Sequence, residues 1–138
     1  IGDTIPYIAL YDTLGNTHYL QDFKGKYLLL DFWGAHCGPC KLSIPELKTI
    51  AETMSDKLIV VSISIDAKST WKQSSIEHGI SWHSLNDLKG REYDAISTLY
   101  NVMGYPTFFI VSPEGVILDK MKGYGEGVVT YWLKMNMD

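Results

Sequence analysis

The amino-acid sequence predicts an α/β fold in which helices flank a central β-sheet. Two apolar runs of strand length, Lys26–Trp33 and Leu58–Ile65, are continuous enough to be strands buried on both faces. Each run is followed by a segment of helical character, and such alternation is typical of a layered α/β protein. The chain has 138 residues, of which 46% are hydrophobic, so we expect one domain, residues 1–138, with a substantial core.

The remaining elements follow from turn signals and apolar spacing along the chain. An N-terminal hairpin precedes the first buried strand, and the long helix after that strand contains a proline. Two shorter helices and two turn-linked strands come later, before a final helix. The predicted elements are the hairpin strands Tyr7–Leu10 and Thr17–Leu20, the helix Pro39–Ser55, the helix Ser69–His78, the strand Ser81–Leu85, the helix Glu92–Tyr100, the strands Thr107–Val111 and Val116–Met121, and a helix from about Glu126 to Met135.

Charge and hydropathy argue against two classes of function. The 12 basic and 16 acidic residues give a formal net charge of −4, and no basic run occurs, so we expect no nucleic-acid partner. No segment approaches the ~20 consecutive apolar residues of a membrane-spanning helix. Because the chain starts at Ile1 rather than Met, we expect a processed or truncated piece, with any signal peptide or membrane tether outside it.

The two cysteines carry the clearest functional signal. Cys37 and Cys40 are separated by Gly38-Pro39 and lie where a predicted strand passes into a predicted helix. A helix N-terminus carries about half a positive charge and free N–H groups, and both stabilise a thiolate. Cys40 lies about one helical turn after Cys37, on the same face. The spacing therefore predicts dithiol–disulfide exchange, in which Cys37 attacks and Cys40 resolves the mixed disulfide.

Metal binding is the main alternative for so close a cysteine pair. Zinc usually takes four protein ligands, yet the sequence holds no second cysteine pair, and its histidines show no metal-ligand spacing. A c-type haem site needs a histidine directly after the second cysteine, where this chain has Lys41. We therefore expect no metal and no separate cofactor, because the redox-active disulfide of Cys37 and Cys40 carries the electrons itself.

Asp31 and Pro106 are two further candidate residues. Asp31 interrupts an apolar run six residues before Cys37, and a buried carboxylate is costly without a partner or a purpose. With a raised pKa it could take the proton from Cys40; the alternative is a carboxylate at a strand end, paired with a lysine. Pro106 directly precedes a predicted strand. From the residue alone a trans peptide bond is expected there, since cis is the minority state.

Together these motifs resemble the thioredoxin family. The stretch from Asp31-Phe32-Trp33 to Cys37-Gly38-Pro39-Cys40-Lys41 is similar to that family's active-site segment, and Gly104-Tyr105-Pro106-Thr107 is similar to its cis-proline loop. The resemblance covers nearly the whole chain. It implies a thioredoxin-like fold, with a central mixed β-sheet flanked by helices, an N-terminal β-hairpin, and a central insertion between the βαβ and ββα halves.

The resemblance also assigns roles to individual residues. It implies that Cys37 is the exposed nucleophile, Cys40 the buried resolving cysteine, and Asp31 the buried acid–base. Pro106 becomes the cis-proline beside the substrate groove. The other implied groove residues are Trp33, His36, Gly38, Pro39 and Tyr105.

Two additions to a plain thioredoxin resemble the TlpA/ResA-type branch, which is related to AhpC/TSA proteins. They are the N-terminal extension Ile1–Lys24 and the inserted residues between Asp66 and Pro106. That branch implies an exported reductase on the periplasmic or cell-envelope side of a bacterial membrane, with protein disulfide substrates and an upstream thiol electron donor. We expect a monomer. ResA-type proteins have Glu where this chain has Ser43, so the resemblance does not extend to a specific role in cytochrome c maturation.

Several alternatives remain open at the level of sequence. A disulfide oxidase or isomerase would share the fold and differ in reduction potential. A thiol peroxidase needs Thr three residues before the reactive cysteine, where this chain has Gly34, and a binding module would leave the cysteine pair unused. His36 either lowers the pKa of Cys37 or is a solvated loop residue. Tyr105 either narrows the groove or only packs.

Overall fold

Seven strands and four α-helices make up the computed structural model over the residues that it describes, 2–137. The strands are β1 (Leu10–Tyr11), β2 (Thr17–His18), β3 (Tyr27–Trp33), β4 (Leu58–Ser64), β5 (His83–Leu85), β6 (Thr107–Val111) and β7 (Ile117–Lys122). The helices are α1 (Gly38–Thr53), α2 (Lys68–Glu77), α3 (Ile96–Leu99) and α4 (Val128–Asn136), and a 3₁₀ helix covers Leu20–Phe23. Within residues 2–137, no helix has both the length and the apolar character needed to cross a membrane.

A mixed five-stranded sheet forms the centre of the protein. Its strand order is β5-β4-β3-β6-β7, and β1 and β2 form a separate small antiparallel sheet. Strand β3 pairs in parallel with β4 and antiparallel with β6, so it occupies the middle of the sheet. Helix α2 and strand β5 lie between Asp66 and Pro106, within the predicted insertion. The structure thus confirms the predicted fold class, including the N-terminal hairpin and the insertion.

Each face of the sheet packs against its own hydrophobic core. Because side chains alternate along a strand, Leu28 and Phe32 join the core that includes the 3₁₀ helix and α3, whereas Leu29 joins the core beneath α1 and α4. All three side chains are fully buried. This explains why β3 has a continuous apolar sequence, and it makes the single carboxylate in that strand, Asp31, conspicuous.

The two hairpin strands and the third predicted helix differ most from the structure in their bounds. The first hairpin strand covers Leu10–Tyr11 rather than Tyr7–Leu10, because only these two residues pair with the second strand. The second hairpin strand ends at His18 rather than Leu20, because the chain turns there into the 3₁₀ helix and the Asp22 carboxylate accepts the N–H of Tyr19 at 3.0 Å. The helix predicted over Glu92–Tyr100 is restricted to Ile96–Leu99. Its start is set by Asp87, whose carboxylate accepts the N–H of Ile96 at 2.7 Å.

Candidate active site

The cysteine pair lies at the junction between β3 and α1. Cys37 is the N-cap residue of α1, Pro39 lies in the first turn, and the Sγ of Cys37 accepts the backbone N–H of Cys40 at 3.2 Å. The two cysteines form a disulfide with their Cα atoms 5.2 Å apart. Cys37 is partly exposed, whereas Cys40 is only 2% exposed. The sulfur of Cys37 is therefore the one that a large partner can reach.

Aromatic side chains enclose the buried cysteine. Trp33 and Trp71 form a hydrophobic cluster with Cys40, and Cys37 and Tyr105 pack against that cluster. Trp33 is 2% exposed, so it lies beneath the cysteines rather than on an open wall of the groove. Trp71 comes from α2 in the insertion, and its Nε1 donates to the Ser84 hydroxyl at 3.0 Å. The insertion thus supplies part of the environment of the redox pair.

The loop before β6 contains a cis peptide bond between Tyr105 and Pro106. This confirms the implication of the family resemblance, whereas the expectation from the proline alone, a trans bond, is wrong. Pro106 is buried, and its carbonyl accepts the N–H of Gly123 at 2.8 Å. Through Tyr105 the loop packs against the cluster of Trp33, Trp71 and Cys40, so the structure brings the proline loop and the cysteine pair together.

The Tyr105 side chain is partly buried, and its hydroxyl is among the buried polar atoms without a hydrogen-bond partner in the described residues. Burial raises the pKa of Tyr105. The ring is therefore held against the redox pair by packing rather than by its hydroxyl. His36, Gly38 and Pro39, the other predicted groove residues, are exposed around Cys37.

Asp31 is 3% exposed and lies on the same face of β3 as Trp33, the residue that packs on Cys40. The Ser62 hydroxyl donates to its Oδ2 at 2.8 Å, and its Oδ1 has no hydrogen-bond partner within the described residues. Burial raises the pKa of Asp31 to about 7, although the hydrogen bond from Ser62 lowers it in part. The partner of this carboxylate is thus a serine, not the lysine of the alternative interpretation.

Sequence reasoning assigned no role at the site to three residues that support it. Asp66 accepts the N–H of Ala35 at 2.8 Å and thereby ties the loop before Cys37 to the end of β4. Ser62 and Trp71 hold Asp31 and Cys40 respectively. No local pattern singles them out, because each becomes significant only where it meets a residue distant in the chain. In residues 2–137, no group of three or more potential metal-ligating side chains comes together.

The fold and the site together define a class, the thioredoxin-like thiol–disulfide oxidoreductases. More particularly, the chain belongs to the AhpC/TSA family, whose family model matches residues 1–120. It is 35% identical to the thioredoxin-like protein YneN of Bacillus subtilis over 122 residues, which cover 86% of this chain and 69% of that protein. It is 28% identical to the thiol–disulfide oxidoreductase ResA of Geobacillus kaustophilus over 126 residues, covering 89% and 70% respectively.

A solved structure supports the same class. The chain is similar to the thioredoxin domain of a thiol–disulfide oxidoreductase from Bacteroides vulgatus, with a TM-score of 0.82 and 30% sequence identity. The alignment covers 99% of this chain and 97% of that one. These matches confirm the resemblance to the thioredoxin family, which the cysteine motif and the proline loop carry. They also confirm the resemblance to its ResA-type branch, which the N-terminal extension and the insertion carry.

Proposed function

We propose that this protein reduces disulfides in exported partner proteins through the dithiol of Cys37 and Cys40. The observation that carries the proposal is the asymmetry of the pair, a partly exposed Cys37 at a helix N-terminus in front of a buried Cys40. The N-terminus of α1 stabilises the thiolate of the attacking sulfur. The burial of Cys40 reserves it for the intramolecular step.

The proposed reaction transfers two electrons to the substrate. The Cys37 thiolate attacks one sulfur of a substrate disulfide, the second substrate sulfur leaves as a thiolate, and a mixed disulfide forms. Asp31 then accepts the proton of Cys40, and the Cys40 thiolate attacks the Sγ of Cys37. The substrate is released fully reduced and Cys37–Cys40 becomes a disulfide. An upstream thiol donor returns the pair to the dithiol.

The reducing direction is supported by the Gly38-Pro39 dipeptide between the cysteines, which is the thioredoxin-like sequence. The test is the reduction potential of the pair, equilibrated against defined thiol buffers. A value near or below about −250 mV supports a reductase. A value between about −120 and −180 mV assigns the protein to disulfide oxidation or isomerisation instead and overturns the proposed direction.

We also propose that the protein acts as a monomer on the outer side of a bacterial membrane, as its similarity to the ResA-type branch supports. Gly34 stands where peroxidase chemistry needs a threonine, so we do not propose peroxide as a substrate. Protease added to spheroplasts or protoplasts, whose cytoplasmic membrane is intact and which produce the natural full-length protein, tests the location. Digestion supports it, and protection until the cells are lysed contradicts it.

A further inference from the structure

A chain of hydrogen bonds leads from the protein surface to Asp31. The indole Nε1 of Trp82 donates to the Ser62 hydroxyl at 2.8 Å, and that hydroxyl donates to the Oδ2 of Asp31, also at 2.8 Å. Ser62 is fully buried, whereas Trp82 is partly exposed and lines a surface cavity of about 330 Å³. Ser62 and Asp31 are direct partners in the parallel register of β4 and β3.

The direction of these hydrogen bonds is fixed by chemistry. An indole N–H can only donate, so the Ser62 oxygen must accept from Trp82. The single hydroxyl hydrogen of Ser62 is then committed to the Oδ2 of Asp31. Oδ2 is therefore an acceptor whether or not the carboxyl group is ionised, and the acidic proton, when present, belongs on Oδ1. That atom is buried and has no partner among the described residues.

We infer that Ser62, held by Trp82, is a positioning residue that keeps Oδ2 of Asp31 occupied and reserves Oδ1 for the proton exchanged with Cys40. This inference rests on the proposed function, in which Asp31 is the base for Cys40. In that step the S–H bond of Cys40 breaks and the Oδ1–H bond of Asp31 forms. The resulting thiolate attacks Cys37, and the substrate sulfur leaves with the electron pair of the broken mixed disulfide.

The surroundings of Asp31 leave Ser62 as its dominant polar neighbour. Strand β6 places Phe108 opposite Asp31, and two residues further along β3, on the same face, Trp33 packs on Cys40. Two titratable groups lie near Trp82, at the surface end of the hydrogen-bond chain. Glu52 and His83 line the same surface cavity as Trp82, and the ring centroid of His83 lies 4.7 Å from that of Phe23. Burial and the Ser62 hydrogen bond are the causes that shift the pKa of Asp31.

The first readout is the pKa of Asp31, which is measured by ¹³C NMR of its carboxyl carbon in the oxidised protein. Ser62→Ala removes a hydrogen bond that favours the ionised form, so we expect the pKa to rise by about one unit. Trp82→Phe frees the Ser62 hydroxyl to turn and accept from a protonated Oδ2, which gives a smaller rise. Ser62→Thr keeps the hydroxyl and restores the wild-type value. Ser97→Ala, which removes another buried serine hydroxyl, on α3, is the matched control and should change nothing.

The second readout is the rate at which Cys40 resolves a mixed disulfide between Cys37 and thionitrobenzoate, measured as a function of pH. A midpoint that moves upward together with the NMR pKa in Ser62→Ala supports the inference. An unchanged pKa of Asp31 in Ser62→Ala overturns the inference. A pKa that shifts while the pH midpoint of the resolution rate stays unchanged also overturns it, because Asp31 is then not the base for Cys40. If Ser62→Ala does not fold, Trp82→Phe decides by the same two readouts. Failure of the proposed function is distinct, because the wild type itself would then not resolve the mixed disulfide.

Discussion

The two sides of the cysteine pair differ in what they offer the reaction. The outer side, the rim, consists of Cys37 and the exposed residues His36, Gly38 and Pro39. The inner side, the floor, consists of Cys40 with Trp33, Trp71 and Asp31, all at most 3% exposed. Contact with a partner and control of protons are therefore separated within one site. Water around the rim screens charges and so limits the pKa shifts of its residues. The floor excludes water, and this burial raises the pKa of Asp31 to about 7.

The largest expected effect comes from removing the sulfur on each side in turn. Cys37→Ser should lower disulfide-reductase turnover by at least about 1,000-fold, because the nucleophile is lost. Cys40→Ser should keep the first attack and accumulate mixed disulfides, which non-reducing electrophoresis detects. If Cys40→Ser forms no adduct with a disulfide-bonded protein and Cys37→Ser does, the assignment of the two sides is reversed.

The second prediction separates the base from the rest of the floor. Asp31→Asn should slow resolution of the mixed disulfide by about 100-fold at neutral pH, since a positioned general base contributes about 10²- to 10⁴-fold. The rise of the wild-type rate through pH 7 should be replaced by a rise at higher pH, where the thiol ionises unaided. Stopped-flow release of thionitrobenzoate measures both. Equal rates in wild type and variant between pH 6 and 8 would remove Asp31 from the mechanism.

The third prediction concerns the contribution of the insertion to the floor. Trp71→Ala should lower the free energy of unfolding by about 3–5 kcal/mol, because it leaves a cavity in the cluster around Cys40 and deprives the Ser84 hydroxyl of its indole partner. Urea denaturation of the oxidised protein measures the loss. Trp71→Phe fills most of the space and serves as the control. A loss below about 1 kcal/mol in the alanine variant would show that α2 packs independently of the redox pair.

The fourth prediction uses the pH dependence of stability. The pKa of Asp31 in the folded protein, about 7, lies above the ordinary aspartate value of 3.8, so the unfolded chain releases this proton first as the pH rises. Stability from this group is complete below about pH 4 and is lost as the pH rises through 7. Between pH 5 and 8 the wild type should therefore lose about 2–3 kcal/mol more than Asp31→Asn. Urea denaturation at pH 5 and pH 8 measures the loss in both proteins. An equal loss in wild type and Asp31→Asn would contradict the raised pKa.

The smallest effect is expected on the rim. His36 is exposed, so His36→Gln should change the rate of the first attack by Cys37 no more than about three-fold, because exposed charges interact weakly. The resolution step and the pKa of Asp31 should not change. The two bursts of thionitrobenzoate release separate attack from resolution. A change in the second burst would show that the rim and the floor are coupled.

The sequence predicted the parts of the molecule that depend on local chemistry. Cys37-Gly38-Pro39-Cys40 after an apolar strand was sufficient to place the nucleophile at a helix N-terminus, because strand, turn and capping preferences act over a few residues. The isolated carboxylate of Asp31 was equally visible, since a charge within an apolar run stands out. The boundary of α3 was not visible, because Asp87, nine residues before Ile96, sets it.

Tertiary structure alone decided how these parts meet. Ser62 reaches Asp31 because β4 pairs in parallel with β3, and Trp82 reaches Ser62 across a further 20 residues. Trp71 of α2 meets Cys40 of α1 only through a hydrophobic cluster that also contains Trp33 of β3. The pKa of Asp31 belongs to this second group, since it depends on the burial of the carboxylate and on its one hydrogen bond. Residues far apart in the chain are brought into contact by strand register and core packing, and neither can be read from a local stretch of sequence.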